Sequence, residues 1–201
     1  MPSIYELKPR FQGLLRPLVR ALAAAGVSAN QVTVAALMLS IAAGALIACY
    51  PRASGPLLLM PAALFARMAL NAVDGMLARE HGMKSALGGF LNELGDVLSD
   101  SALYLPLAAL SGVSAAGVVL VVVLAIVSEM TGVIAVQIGA ARRYDGPMGK
   151  SDRAFVFGLA CLLLGLGVKP GVWFDSVMLL TALLLVATIV NRARRALAEV
   201  G

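Results

Sequence analysis

Charge is scarce in this chain. Of its 201 residues, 13% are Asp, Glu, Lys or Arg, about half the share in an average soluble domain. Hydrophobic residues make up 60%, and mean hydropathy is +0.91. An ordinary soluble fold is excluded, and residues 1–201 suit one compact membrane domain rather than two. Cysteine is nearly missing. Cys49 and Cys161 lie in apolar runs, which reads as buried thiols and speaks against a disulfide or a metal site. The single histidine, His81, reads as a solvated loop residue. The opening "MPSIYELKPRFQGLLRPLVR" has no apolar h-region, so it is not read as a cleavable signal. No repeat or low-complexity segment stands out. The formal charge of +5 would suit nucleic acid, but the placement of Lys and Arg points to a membrane instead, and no nucleic acid is expected.

A membrane span needs about 20 mostly apolar residues. Six candidates emerge: Val32–Tyr50, Gly55–Ala78, Ala86–Leu110, Ala115–Ala140, Ala154–Val168 and Val172–Val190. Lys8, Arg10, Arg16 and Arg20 precede the first. Arg79 and Lys84 lie between the second and third, Arg142, Arg143, Lys150 and Arg153 between the fourth and fifth, and Arg192, Arg194 and Arg195 after the sixth. The alternate loops hold only Arg52 and Lys169. That asymmetry places both termini in the cytoplasm and requires an even number of spans. Ahead of them, Ile4, Leu7, Phe11, Leu14, Leu15, Leu18, Val19 and Leu22 recur at helical spacing among cations. Residues 1–26 thus read as an amphipathic helix in the interface, kinked near Pro9 or Pro17. The bundle proper covers residues 31–196. The fold expected is an all-α integral membrane protein of six transmembrane helices plus this interfacial helix. Trp173 and Phe174 suit an anchor at the outer interface.

Against this background, Asn71–Asp100 stands out. It holds Asp74, Glu80, Glu93, Asp96 and Asp100, five of the eleven acidic residues. Ionisable groups inside a span are costly, face a cavity and mark function. Asn71, Asp74, Gly75 and Ala78 share one helix face. Gly88, Asn92, Asp96 and Asp100 step by four along the next helix, with Asp100 about 12 Å from Asn92 along the axis. The loop between is short, so the helices are antiparallel and Asp74 faces Asp96 near the cytoplasmic surface. Converging carboxylates call for a counter-charge such as Mg²⁺. Neighbouring glycines let a ligand or a partner helix approach the backbone. Arg67, one turn before Asn71, calls for a carboxylate partner such as Glu129 or Asp74. The cations of the fourth inter-span loop suit a phosphate on an acceptor, or only the charge rule for topology.

The run Asp74-Gly75-x-x-Ala78-Arg79, eight residues, then Gly88-x-x-x-Asn92-x-x-x-Asp96 resembles the signature D-x-x-D-G-x-x-A-R-x8-G-x-x-x-D-x-x-x-D of the CDP-alcohol phosphatidyltransferase family. "SANQVT" resembles the family's P-N-x-x-T, with Ala29 where proline is usual, and "GKSDR" its basic loop. The resemblance implies transfer of a phosphatidyl-type phosphoalcohol from a CDP-linked donor, often CDP-diacylglycerol, to a small hydroxyl acceptor, with release of CMP, in phospholipid biosynthesis. It implies Mg²⁺ or Mn²⁺ and a homodimer. Carried over by position, Asn71, Asp74, Asn92 and Asp96 are the metal positions and Asp96 the general base. Asn30, Thr33, Asp74, Gly75, Ala78, Arg79, Ser85 and Gly88 line the CDP pocket. Arg142, Arg143, Lys150 and Arg153 are the acceptor-binding candidates. A bacterial inner membrane is the expected location.

Asn71 and Asn92 stand where the signature has aspartate, so the four positions carry two charges instead of four. Cation affinity follows ligand charge and should fall. Glu93 swinging in, Asp100 adding field, the donor diphosphate completing the site, or loss of activity are the open outcomes. An inactive member that binds CDP-lipid or a partner is the alternative reading. A proton or ion transporter is disfavoured, because no polar trail continues past Asp100 and no inverted repeat is visible.

Overall fold

The computed structural model describes residues 4–201, with side chains from Phe11 onward. Among them there is no strand. Seven α-helices follow one another: α1 Ile4–Ala24, α2 Ala29–Cys49, α3 Ser54–Glu80, α4 Ala86–Tyr104, α5 Ala115–Gln137, α6 Lys150–Gly165 and α7 Val172–Val200. A 3-10 turn, Leu105–Ala109, extends α4.

Local signals set the helix starts. Ser28 caps α2 in a box with Gln31, and Ser85 and Ser114 cap α4 and α5 through the amides of Gly88 and Gly117. Hydropathy alone places the start of the fifth span at Ala154. Asp152 Oδ2 accepts the Gly149 amide at 2.8 Å, and this cap starts α6 one turn earlier. Lys150 and Arg153 therefore ride on the helix rather than in a loop.

Among the described residues, four helices are long and apolar enough to cross a membrane: α2, α3, α5 and α7. The third and fifth predicted spans fall outside this set. α4 carries Glu93, Asp96 and Asp100 and gives way to the 3-10 turn after Tyr104, where Pro106 supplies no amide. α6 has 16 residues, about 24 Å of helix against about 30 Å of hydrocarbon. α7 runs past the predicted Val190 and takes the arginines up to Arg195 into the helix.

α2 packs on α3 and α4, α3 on α6, α4 on α5, and α5 on α7. At the α2–α4 crossing an added Cβ on Gly44 would lie 1.8 Å from the Ala102 carbonyl oxygen, so only glycine permits that approach. Tyr104 stacks on Phe157 with ring centroids 3.9 Å apart, inside a core that also buries Met60, Leu103, Val121 and Phe174. Phe174 is thus a core residue rather than an interface anchor. α5 and α7 turn Leu120, Val123, Val127, Leu179, Leu183 and Val186 outward. A continuous apolar exterior of this kind suits lipid rather than water.

α1 is one helix running past both predicted kink sites. Its Val19, Leu15 and Leu22 pack on Val73, Met76 and Leu77 of α3, while Leu14 and Leu18 face away. Ile4 and Leu7, part of the predicted apolar face, lie outside the described side chains.

Candidate active site

The α3–α4 hairpin and the start of α2 form a cavity of about 420 Å³. All eight residues that the resemblance assigns to CDP line it, from Asn30 and Thr33 on α2 to Ser85 and Gly88 at the cap of α4. Ala29, Met83, Lys84, Gly89 and Asn92 complete the wall. Lys84, which the sequence offers only as a topology signal between the second and third spans, is a lining residue.

Hydrogen bonds hold this wall. Thr33 Oγ1 donates to Asp74 Oδ2 at 2.8 Å. Ser85 Oγ accepts the Gly88 amide at 2.9 Å and the Asn30 side-chain amide at 3.4 Å. A Cβ on Gly88 would stand 2.7 Å from Asn30 Oδ1 and 3.0 Å from Ser85 Oγ. A side chain there must displace the polar rim. With CDP in this cavity, as the resemblance implies, Gly88→Ala is expected to weaken its binding about tenfold, roughly one hydrogen bond's worth, while the unfolding midpoint stays near wild type. Equilibrium titration with CDP checks it.

Asp96 lies one helical turn beyond Asn92. Its Oδ1 faces three donors: the Lys150 ammonium in direct contact, Arg67 Nη2 at 3.7 Å and Asn71 Nδ2 at 3.5 Å. Its Oδ2 has no hydrogen-bond partner among the described residues. Lys150 is thus brought to the signature, which sequence spacing did not indicate.

Behind Asp96, a chain of charges runs into the bundle. Arg67 pairs with Asp100 at 2.6 Å, not with Glu129 or Asp74. Arg153 donates to Asp100 at 2.8 and 2.9 Å and to Glu129 at 3.1 Å. Arg142 grips both oxygens of Glu93, at 3.0 and 2.8 Å, and reaches Glu129 at 3.0 Å. Arg192, buried on α7, closes on Glu129 at 3.4 Å. Glu93 and Asp100, the candidate auxiliary ligands, are both engaged by arginines.

Loop 138–149 is pinned above this network. Gly146 has φ +129°, and an added Cβ would meet Thr188 at 2.5 Å. Asp145 bonds Arg143 at 2.8 Å and Arg195 at 3.0 Å. Slight burial raises the Asp145 carboxyl, but the Arg143 bond and the two arginine charges outweigh it and hold it below the ordinary range. Its support of the loop is complete above ordinary carboxylate values and disappears as pH falls through the lowered one.

The signature positions supply two carboxylates and two amides. Among the described residues, no three His, Cys, Asp or Glu side chains converge as a metal cluster. Two divalent cations are not matched by this set. One hard cation is, because Mg²⁺ needs only one or two carboxylates when substrate phosphates fill the remaining positions.

A smaller cavity of about 170 Å³ touches Arg67, Asn71, Lys150 and Ser151. An apolar groove of about 410 Å³ continues from it between α3 and α6, past Phe65, Phe155 and Leu162.

Comparison with known proteins agrees with this architecture. The inner membrane protein YnbA of Escherichia coli (strain K12) is 44% identical over 197 residues, covering 97% of this chain and 96% of YnbA. The crystal structure of Mycobacterium tuberculosis phosphatidylinositol phosphate synthase (PgsA1) with CDP-DAG bound superposes with a TM-score of 0.76 at 21% identity, over 92% of this chain and 94% of that one. The same enzyme in complex with manganese and citrate gives 0.76 at 22% identity, over 92% and 90%. The family model for CDP-alcohol phosphatidyltransferase matches residues 26–190, the span that holds the cavity, the Asp74–Asp96 hairpin and the charge network apart from Arg192. The chain belongs to the CDP-alcohol phosphatidyltransferase family.

Proposed function

We propose that this protein transfers a phosphoalcohol group from a CDP-linked lipid, with CDP-diacylglycerol the preferred donor, to a hydroxyl acceptor and releases CMP, in phospholipid biosynthesis. The observation that carries the reading is the one cavity that gathers Asn30, Thr33, Asp74, Arg79, Ser85 and Gly88, with Asp96 one turn beyond its Asn92 wall. The apolar groove along α3 and α6 supports a lipid donor, since it offers an acyl chain a path into the bilayer. The CDP-DAG complex of the M. tuberculosis enzyme supports the same donor.

In this mechanism Thr33 and Asp74 orient the diphosphate, and Arg79 and Lys84 offset its charge. Lys150 and Arg67 fix the Asp96 carboxylate through Oδ1. Oδ2 takes the proton of the acceptor hydroxyl. The hydroxyl oxygen forms a bond to the phosphorus that bears the lipid alcohol, and the bond from that phosphorus to the CMP oxygen breaks. Positioning and fixed charge supply most of the rate. A single Mg²⁺ or Mn²⁺, held by Asp74 and Asp96 with the amide oxygens of Asn71 and Asn92, would add Lewis-acid polarisation of the phosphoryl oxygens.

The same reading takes α2–α7 as six spans, with both termini and the site on the cytoplasmic side of a bacterial inner membrane, residues 1–201 as one domain, and a homodimer. The basic residues beside the site support that orientation. YnbA's description as an inner membrane protein supports the location.

The test is CMP release by purified protein with CDP-diacylglycerol, across an acceptor panel, with and without Mg²⁺ or Mn²⁺. Acceptor-dependent CMP supports the reading. The Asn71 and Asn92 replacements favour one alternative, a member that binds CDP-lipid without turnover. It would show CDP binding and no CMP, and a transporter would show neither.

Restoring the missing charges gives a separate readout. Asn71→Asp combined with Asn92→Asp is expected to tighten Mn²⁺ binding at least about tenfold, because affinity rises with ligand charge. Electron paramagnetic resonance titration measures it directly. Unchanged affinity would show that these positions do not face the cation.

A further inference from the structure

We propose that the acceptor carries no phosphate: its reacting hydroxyl belongs to an uncharged alcohol or polyol. This rests on the transfer reaction proposed above and narrows its substrate class.

The cations beside the site are already committed. Arg142, Arg143, Lys150 and Arg153 are the ones that would receive an acceptor phosphate. Arg142 is held by both oxygens of Glu93 and by Glu129. Its guanidinium is also pressed against α5, where a Cβ on Gly132 would lie 1.7 Å from Nη1, and it stands 4.6 Å from the Tyr144 ring centroid. Arg143 spans Asp145 at 2.8 Å and Glu199 at 2.6 Å. Arg153 is 1% exposed and lies between Asp100 and Glu129. Lys150 is on Asp96. Each has a carboxylate within bonding distance.

The donor side differs. Arg79 and Lys84 line the CDP cavity, and neither makes an ion pair among the described residues. The site therefore has uncommitted positive charge for one diphosphate and none for a second phosphate. Drawing Arg142 onto an acceptor phosphate would strand Glu93 and take from Glu129 one of its three arginines, and removing one partner of a partly buried pair is costly. A phosphate dianion on Arg142 would also face Glu93 and Glu129, the carboxylates that now hold it, where like charges repel. Glu93 and Glu129 thus act as specificity-determining residues: together they neutralise Arg142, and Glu129 also holds Arg153.

The experiment compares glycerol and inositol with glycerol 3-phosphate as acceptors, at equal concentrations, in nanodiscs containing CDP-diacylglycerol. The neutral polyols are expected to raise CMP release, and glycerol 3-phosphate neither to replace nor to inhibit them. Preference for glycerol 3-phosphate by about tenfold or more in kcat/KM overturns the proposal. Binding gives a readout that does not need turnover. Glycerol 3-phosphate is expected to leave the wild-type melting temperature unchanged relative to sulfate at matched ionic strength, and to raise that of Glu93→Gln, in which Arg142 loses a charged partner. A saturable rise in the wild type at millimolar glycerol 3-phosphate overturns the proposal even if turnover is never seen. If no acceptor of either kind yields CMP, the transfer reading itself fails, and the melting experiment still decides whether a phosphate is held.

Discussion

Replacing Asp96 with asparagine is expected to lower CMP release at least about a hundredfold, the scale of a lost general base. The substitution keeps the side-chain shape, its Oδ1 still accepts from Lys150, and the bond from Arg67 to the residue 96 backbone carbonyl is untouched. It removes the carboxylate oxygen that takes the acceptor proton in the proposed mechanism. Titration with CDP should change little, because the donor cavity is lined by residues up to Asn92 and not by Asp96. A fall in turnover with retained CDP binding separates a chemical role from a structural one. Unchanged turnover would remove Asp96 from the mechanism.

The second large effect is on stability. Arg153→Leu leaves Asp100 with Arg67 alone and takes from Glu129 one of its three arginines. Arg153 and Asp100 are 1% and 6% exposed in their side chains. Breaking a buried pair on one side costs about 3–5 kcal/mol, so denaturant unfolding in detergent should show a loss on that scale. Arg195→Gln, at a side chain 58% exposed, should cost less than about 1 kcal/mol. Equal losses at the two positions would contradict the network as drawn.

Periodicity made part of this site legible. Asn71, Asp74, Gly75 and Ala78 fall on one face because the helix repeats every 3.6 residues, and the short loop to α4 sets Gly88 and Asn92 opposite them. Asn30 and Thr33 came from a motif rather than from geometry, and Thr33 does meet Asp74. The pairing of charges was not legible. Arg67 chose Asp100 over Glu129, and Glu93 went to Arg142, 49 residues away in sequence. Such choices depend on which helices pack together, which local periodicity does not encode. Arg192 was missed for a related reason. It follows the last apolar run, so it read as an orientation signal, yet α7 continues past it and buries it against Glu129. The spans suffered where polar function and membrane length compete: α4 carries the carboxylates of the site, and the Asp152 cap pulls α6 back to Lys150.

The central claim is group transfer from a CDP-linked lipid at the Asp74–Asp96 hairpin. Phosphorus NMR of the purified protein in nanodiscs, loaded with CDP-diacylglycerol and a neutral polyol, tests it most directly. The account predicts that the diphosphate resonances give way to one phosphomonoester, CMP, and one phosphodiester in equal amounts. Persistent diphosphate resonances, or the appearance of two phosphomonoesters as simple hydrolysis would give, would contradict it.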